Sequence, residues 1–216
     1  MKRKRDKELF KILDKKTKLK WKRFSKYFEN DSKKFINKIS RDYEMNGKFP
    51  VHVLKQIKEI PKSKYYSAVC VLRGALPYSI LFEAEGWKIH YVICGRKNED
   101  VLKKKRFNKS VDKSLKQVTN KKILILENNS PSGDTPTLVR DNLIENFNIK
   151  KPDLFLDYFI MGKENLPKWL SKKGAFWKTK KKLKKFGKVY ESVNQKVSKK
   201  EHENLVNGFL EKVKKL

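Results

Sequence analysis

The chain has 216 residues, with 55 Lys plus Arg against 24 Asp plus Glu and a formal net charge of +31. At 38% hydrophobic and 12% aromatic it is too apolar for a disordered chain, and it is long enough for one or two domains with a real core. No apolar run approaches the ~20 residues of a membrane span, and no apolar stretch follows Met1-Lys2-Arg3-Lys4-Arg5, so neither a membrane segment nor a secretory signal is expected.

Residues 6–28 read as a helix with Leu9, Phe10, Leu13, Leu19 and Phe24 near one face. Asp31-Ser32 suits the cap of a second helix carrying Phe35, Ile36 and Ile39, and Asn46-Gly47 before Pro50 signals a turn. A short helix is expected over 51–60, ended by Pro61. The pattern then changes to buried strands. Tyr65 to Leu72 is an apolar run that breaks at Arg73-Gly74. Leu76 to Glu85 suits a helix with Pro77 in its first turn and Gly86 at its end. Trp87 to Cys94 reads as a second strand, stopped by Gly95-Arg96. Residues 97–120 are polar and lysine-rich, without a strong period. Ile123-Leu124-Ile125-Leu126 is the most apolar run of the chain. A helix over Thr137 to Phe147 and a strand over Leu154 to Ile160 follow it. This order predicts an α/β fold: an open, mostly parallel sheet flanked by helices, with a helical N-terminal extension and a basic C-terminal tail. The expected divisions are 1–60, 61–162 and 163–216.

The charge is uneven. Residues 1–25 hold 12 basic and 3 acidic residues, and residues 163–188 hold 11 basic and 1 acidic. Such basic ends favour a polyanion or nucleic acid as partner, although a solvated lysine-rich face reads the same way. Cys70 and Cys94 lie inside apolar runs, and together with His52, His90 and His202 they show no metal-ligand spacing. No disulfide framework is expected, and a reducing, cytoplasmic compartment is favoured.

The strand over 123–126 ends in Glu127-Asn128. A loop Asn129-Ser130-Pro131-Ser132-Gly133-Asp134-Thr135 leads into the next helix. Such a loop offers backbone N–H groups and hydroxyls to a phosphate, and Gly133 lets the backbone approach closely. The same residues also serve an ordinary strand-to-helix turn in which Ser and Thr cap. It is not a Walker A loop, because no Gly-Lys-Ser/Thr follows.

Residues 123–135 resemble the phosphoribosyl-pyrophosphate signature of type I phosphoribosyltransferases: four apolar residues, two acids, a spacer, then Ser/Thr-Gly-x-Thr/Ser. Val71 to Pro77, with Arg73-Gly74, is similar to that family's pyrophosphate-binding loop. Residues 97–120 stand where the family has a mobile catalytic loop. The resemblance implies a Mg²⁺-dependent transfer of ribose 5-phosphate from phosphoribosyl pyrophosphate to a nucleobase, with release of pyrophosphate. Arg73, Gly74, Glu127, Asn128, Ser130, Ser132, Gly133, Asp134 and Thr135 are then the phosphoribosyl-pyrophosphate-binding residues. Glu127, Asn128 and Arg73 are the candidates for catalysis, and Glu127 is the candidate toward the metal. Lys103, Lys104, Lys105 and Arg106 of the mobile loop would neutralise the leaving group.

Pro167 to Leu170 and Ala175-Phe176-Trp177 are weakly similar to xanthine/guanine/hypoxanthine salvage enzymes, which makes Trp169 and Trp177 candidates to stack on a purine. Two residues depart from the family pattern. Asn128 stands where the family has a second acid, and Pro131 stands where 6-oxopurine enzymes often carry Asp. These departures keep a second reading open, a regulator of the same fold that binds phosphoribosyl pyrophosphate or nucleotide, and nucleic acid, without turnover. The resemblance leaves a homodimer open and implies no membrane partner.

Overall fold

A computed structural model describes residues 2–27, 51–72, 74–96, 105–108, 113–128, 134–157, 181–191 and 197–216. It divides into two compact units.

The first unit gathers residues 1–59, 76–87 and 194–216. Its helices are α1 (Lys2–Phe24), α2 (Val51–Glu59), α3 (Leu76–Ala84) and α5 (Lys199–Lys215). In α1 the residues Leu9, Leu13, Thr17, Trp21 and Phe24 are buried, a spacing of three or four that makes one continuous face. That face belongs to a helix packed on α5 and α3. α5 begins at Ser198, whose hydroxyl accepts the backbone N–H of Glu201 at 3.2 Å. It buries Leu205, Val206, Phe209, Leu210 and Val213. α3 is apolar nearly all round, and Leu76 through Phe82 are all buried, as a helix without a polar face must be. Gly86 ends the turn after it with a φ of 76°, a left-handed conformation that favours glycine.

The second unit comprises residues 60–75 and 88–193 and holds one six-stranded sheet. Its strands are β1 (Ser67–Leu72), β2 (Ile89–Arg96), β3 (Lys105–Asn108), β4 (Ile123–Asn128), β5 (Asp153–Asp157) and β6 (Val189–Glu191). They lie in the order β3-β2-β1-β4-β5-β6. Five run parallel, and β3 is antiparallel to β2 at one edge. β1 is buried at every residue and β4 at all but its last, so strands of this kind read as unbroken apolar runs rather than alternating ones. α4 (Asp134–Phe147) follows β4 and packs Val139 and Leu143 into a core with Val69, Val71, Val92, Ile123, Ile125, Leu154 and Leu156. Leu115 and Val118, from a 3₁₀ turn over Lys113–Val118, and Leu183 and Phe186 complete that core. Each such side chain taken from water contributes roughly 1.5–3 kcal/mol. Cys70 and Cys94 are buried free thiols on adjacent strands.

The α/β class expected from the sequence is therefore the one observed, with parallel strands and helices on either side of the sheet segment in the chain. Several boundaries differ. α1 starts at Lys2, β2 extends to Arg96, and α4 starts at Asp134 rather than Thr137. Two strands were not expected: β3, within the polar stretch 97–120, and β6, within the basic tail. Both sit at sheet edges, where backbone pairing makes a strand of polar residues such as Lys105-Arg106-Phe107-Asn108. β6 pairs with β5 beyond residue 162, and Leu76–Trp87 groups with the helical unit. The second helix expected after Asp31-Ser32 lies outside the described residues.

Candidate functional site

The chain leaves β1 toward β2 on one side and returns to β4 on the other, so the direction of winding reverses between β1 and β4. In an open α/β sheet this switch point, at the carboxyl ends of the strands, is where a crevice forms for ligands. The two segments singled out in the sequence meet there. The Asn128 amide donates to the Gly74 carbonyl at 3.4 Å, across 54 residues of sequence. A Cβ on Gly74 would stand 3.5 Å from that of Asn128, in ordinary contact.

Glu127 is buried at 5% exposure as the fifth residue of β4, level with Leu156 of β5. Its Oε1 accepts the backbone N–H of Asn128 at 2.9 Å. Asn128 Oδ1 is buried without a hydrogen-bond partner among the described residues. Such an acceptor is costly to bury alone and is ready to receive a donor from a ligand. Asp134 and Thr135 open α4, a 14-residue helix with Pro136 in its first turn. The N–H groups of that turn point out of the helix, where the helix dipole favours an anion. Asp134 is itself an anion at this end, and Lys182 pairs with it. That pair lowers the repulsion an incoming phosphate would meet. Cys94 of β2 lies against the same turn, its thiol 3.9 Å from the Thr135 carbonyl.

Glu127, Asn128 and Gly74 are thus brought together, and Asp134 and Thr135 begin the helix that follows. Arg73, Ser130, Ser132, Gly133, Lys103, Lys104, Trp169 and Trp177 lie outside the described residues, as does Pro131. Lys105 and Arg106 belong to β3, where their backbone pairs with Arg96 and Gly95. Sequence reasoning missed Lys182. Its partner lies 48 residues away, and a lysine-rich tract gives no sign of which lysine turns inward.

Among the described residues no cluster of three His, Cys, Asp or Glu side chains could hold a metal ion by itself. No helix among them is long and apolar enough to cross a membrane. The fold and the site together define an α/β protein whose direction of winding reverses between β1 and β4. The sequence matches no protein family and no curated protein. Among solved structures it is similar to a hypothetical protein from Neisseria gonorrhoeae with bound ppGpp. The TM-score is 0.41 and the identity 12%, over 73% of this chain and 91% of that one.

Proposed function

We propose that the chain binds phosphoribosyl pyrophosphate at the β1/β4 crevice and transfers its ribose 5-phosphate to a nucleobase, of which a purine is the first to test. The supporting observation is the hydrogen bond from Asn128 to Gly74. It joins the end of the signature strand to the loop after β1, at the reversal of winding.

In this reading the first turn of α4 and the residues before it take the 5′-phosphate. The Glu127 carboxylate accepts hydrogen bonds from ribose hydroxyls, and Asn128 presents its free oxygen to the same region. The Gly74 turn would take the pyrophosphate, the part for which the resemblance also names Arg73. Positive charge grows on the ribose as the bond to pyrophosphate breaks, and a buried carboxylate nearby stabilises that charge. A carboxylate and an amide oxygen are hard donors that suit a magnesium ion which also takes ligands from substrate phosphates. Glu127 and Asn128 would hold that ion, and when bound it would supply positive charge to the leaving pyrophosphate.

Titration calorimetry with phosphoribosyl pyrophosphate and magnesium, followed by pyrophosphate release over a panel of bases, tests the proposal. Binding that is lost in Glu127→Gln, with release on one base, is the expected result. Binding without release on any base supports the second reading, a regulator without turnover, for which the neutral Asn128 is the motive. Absence of binding overturns both.

A further inference from the structure

α1 carries a second face. Lys4, Lys7, Lys11, Lys15, Lys18 and Lys22 follow one another at steps of three or four residues. At 3.6 residues per turn these six fall within about 80° of arc and run about 27 Å along the axis. They lie on the side away from Leu9, Leu13, Trp21 and Phe24. Five of the six are exposed, and the Lys18 side chain is 43% exposed. The acids of α1 are already engaged: Asp6 by His202 at 3.1 Å, Glu8 by Lys214 at 2.8 Å and Asp14 by Lys18 at 2.6 Å. Lys7, Lys11, Lys15 and Lys22 have no acidic partner among the described residues.

We propose that this stripe is a docking surface for a nucleic-acid backbone, held through its phosphates without regard to sequence. A linear row of like charges fits a polymer with a charge repeat. One strand of a duplex carries a phosphate about every 3.4 Å, so about 27 Å of it presents roughly eight. The stripe holds only lysine, a flexible point charge, with no arginine fork to read a base edge. A lipid surface fits less well. A helix lying in a membrane sinks its apolar face among the acyl chains, and here that face is buried inside the helical unit. The proposal does not depend on the phosphoribosyl-pyrophosphate reading.

The test uses the full chain and a fluorescent oligouridylate of about 20 nucleotides, with a DNA duplex of about 20 base pairs in parallel, read by anisotropy from 50 to 200 mM KCl. Replacing Lys7, Lys11, Lys15 and Lys22 together by Gln should weaken binding at least about tenfold near 100 mM salt. It should also make the log–log salt dependence shallower by about two to three units. A control that replaces the exposed Lys116, Lys150, Lys184 and Lys185 by Gln removes the same charge elsewhere and should cost less than about threefold. The pair Lys11→Gln and Lys15→Gln should give an intermediate loss, which keeps the test valid should the fourfold variant melt early by circular dichroism. Equal weakening by the control, no binding at 50 mM salt, or equally tight binding to polyglutamate or phosphatidylserine vesicles would overturn the proposal.

Discussion

Asp153 and Glu127 are acids of equal burial, 5% exposed, on neighbouring strands of one sheet, and they keep different company. Asp153 opens β5 at the amino ends of the strands. Its Oδ2 accepts the Tyr65 hydroxyl at 2.5 Å, and its Oδ1 accepts Lys122 at 2.5 Å and the Lys188 backbone N–H at 2.9 Å. The Tyr65 hydroxyl also meets that of Tyr190 at 2.9 Å. Glu127 stands at the carboxyl ends, one residue before β4 finishes, beside a buried amide oxygen without a partner among the described residues. One end of the sheet is tied by side chains from four segments. At the other, Glu127 accepts the backbone N–H of the next residue and Asn128 donates to the Gly74 carbonyl. Substitutions at the first end should therefore cost the most stability, and the proposed ligand is assigned to the second.

The comparison can be broken most forcefully at its closed end. Asp153→Ala leaves the Tyr65 hydroxyl, the Lys122 ammonium and the Lys188 backbone N–H without their acceptor and should cost about 3–5 kcal/mol in urea unfolding. If it costs under about 1 kcal/mol, the network is ornament and the contrast fails. Gly187→Ala should cost about 1–3 kcal/mol by the same measure, because the added methyl would collide with Asp153 Oδ1 and press on Lys122 Nζ and the Lys151 carbonyl at 3.1 Å each.

Tyr65 sharpens the point through pH. Burial, then the hydrogen bond to Asp153, raises its pKa far above the ordinary value of 10.0. The folded form therefore holds its proton where the unfolded chain releases it. The contribution is fully present below about pH 10 and is lost progressively as pH climbs above that value. Tyr65→Phe should cost about 1–2 kcal/mol at neutral pH and flatten the alkaline decline of stability, as chemical denaturation at pH 8 to 11 would show.

At the open end the same kind of change should leave the fold nearly alone. Asn128→Asp restores a second acid. It gives up the donor to the Gly74 carbonyl, so it should cost about 1 kcal/mol in unfolding while tightening binding of phosphoribosyl pyrophosphate with magnesium by roughly tenfold in calorimetry. An unchanged affinity would remove Asn128 from the site. Gly74→Ala has the smallest stability effect, within about 0.5 kcal/mol, since the new methyl meets only ordinary contacts. Its methyl would nonetheless stand beside Asn128 at the proposed site, so a variant that melts normally yet binds weakly is the expected result.

These contrasts also show what was legible in the sequence. β1, β2, β4 and β5 announce themselves because strands buried on both faces need continuous apolar residues, and Gly86 marks the turn after α3 by its conformational freedom. Glu127 could be placed because a polar residue closing such a run stands at the strand's carboxyl end. β3 and β6 could not be placed, since an edge strand is held by backbone pairing that leaves little trace in side-chain pattern. The contacts that assemble the site and the clamp escaped for another reason. Asn128 meets Gly74 across 54 residues, Lys182 meets Asp134 across 48 and Tyr65 meets Asp153 across 88, and no local period encodes such distances.

The helical unit is built from both ends of the chain, and its His202–Asp6 contact joins residues 196 apart. During synthesis α1 emerges long before α5 exists. At about 5–20 residues per second the apolar face of Leu9, Leu13, Trp21 and Phe24 waits roughly 10–40 seconds for α5, the second of the two helices it packs on. The nascent chain must therefore carry α1 with part of its apolar face uncovered until α5 is made. Its lysine-rich side is the portion that keeps the waiting segment in water, and the helical unit is complete only once α5 has been made.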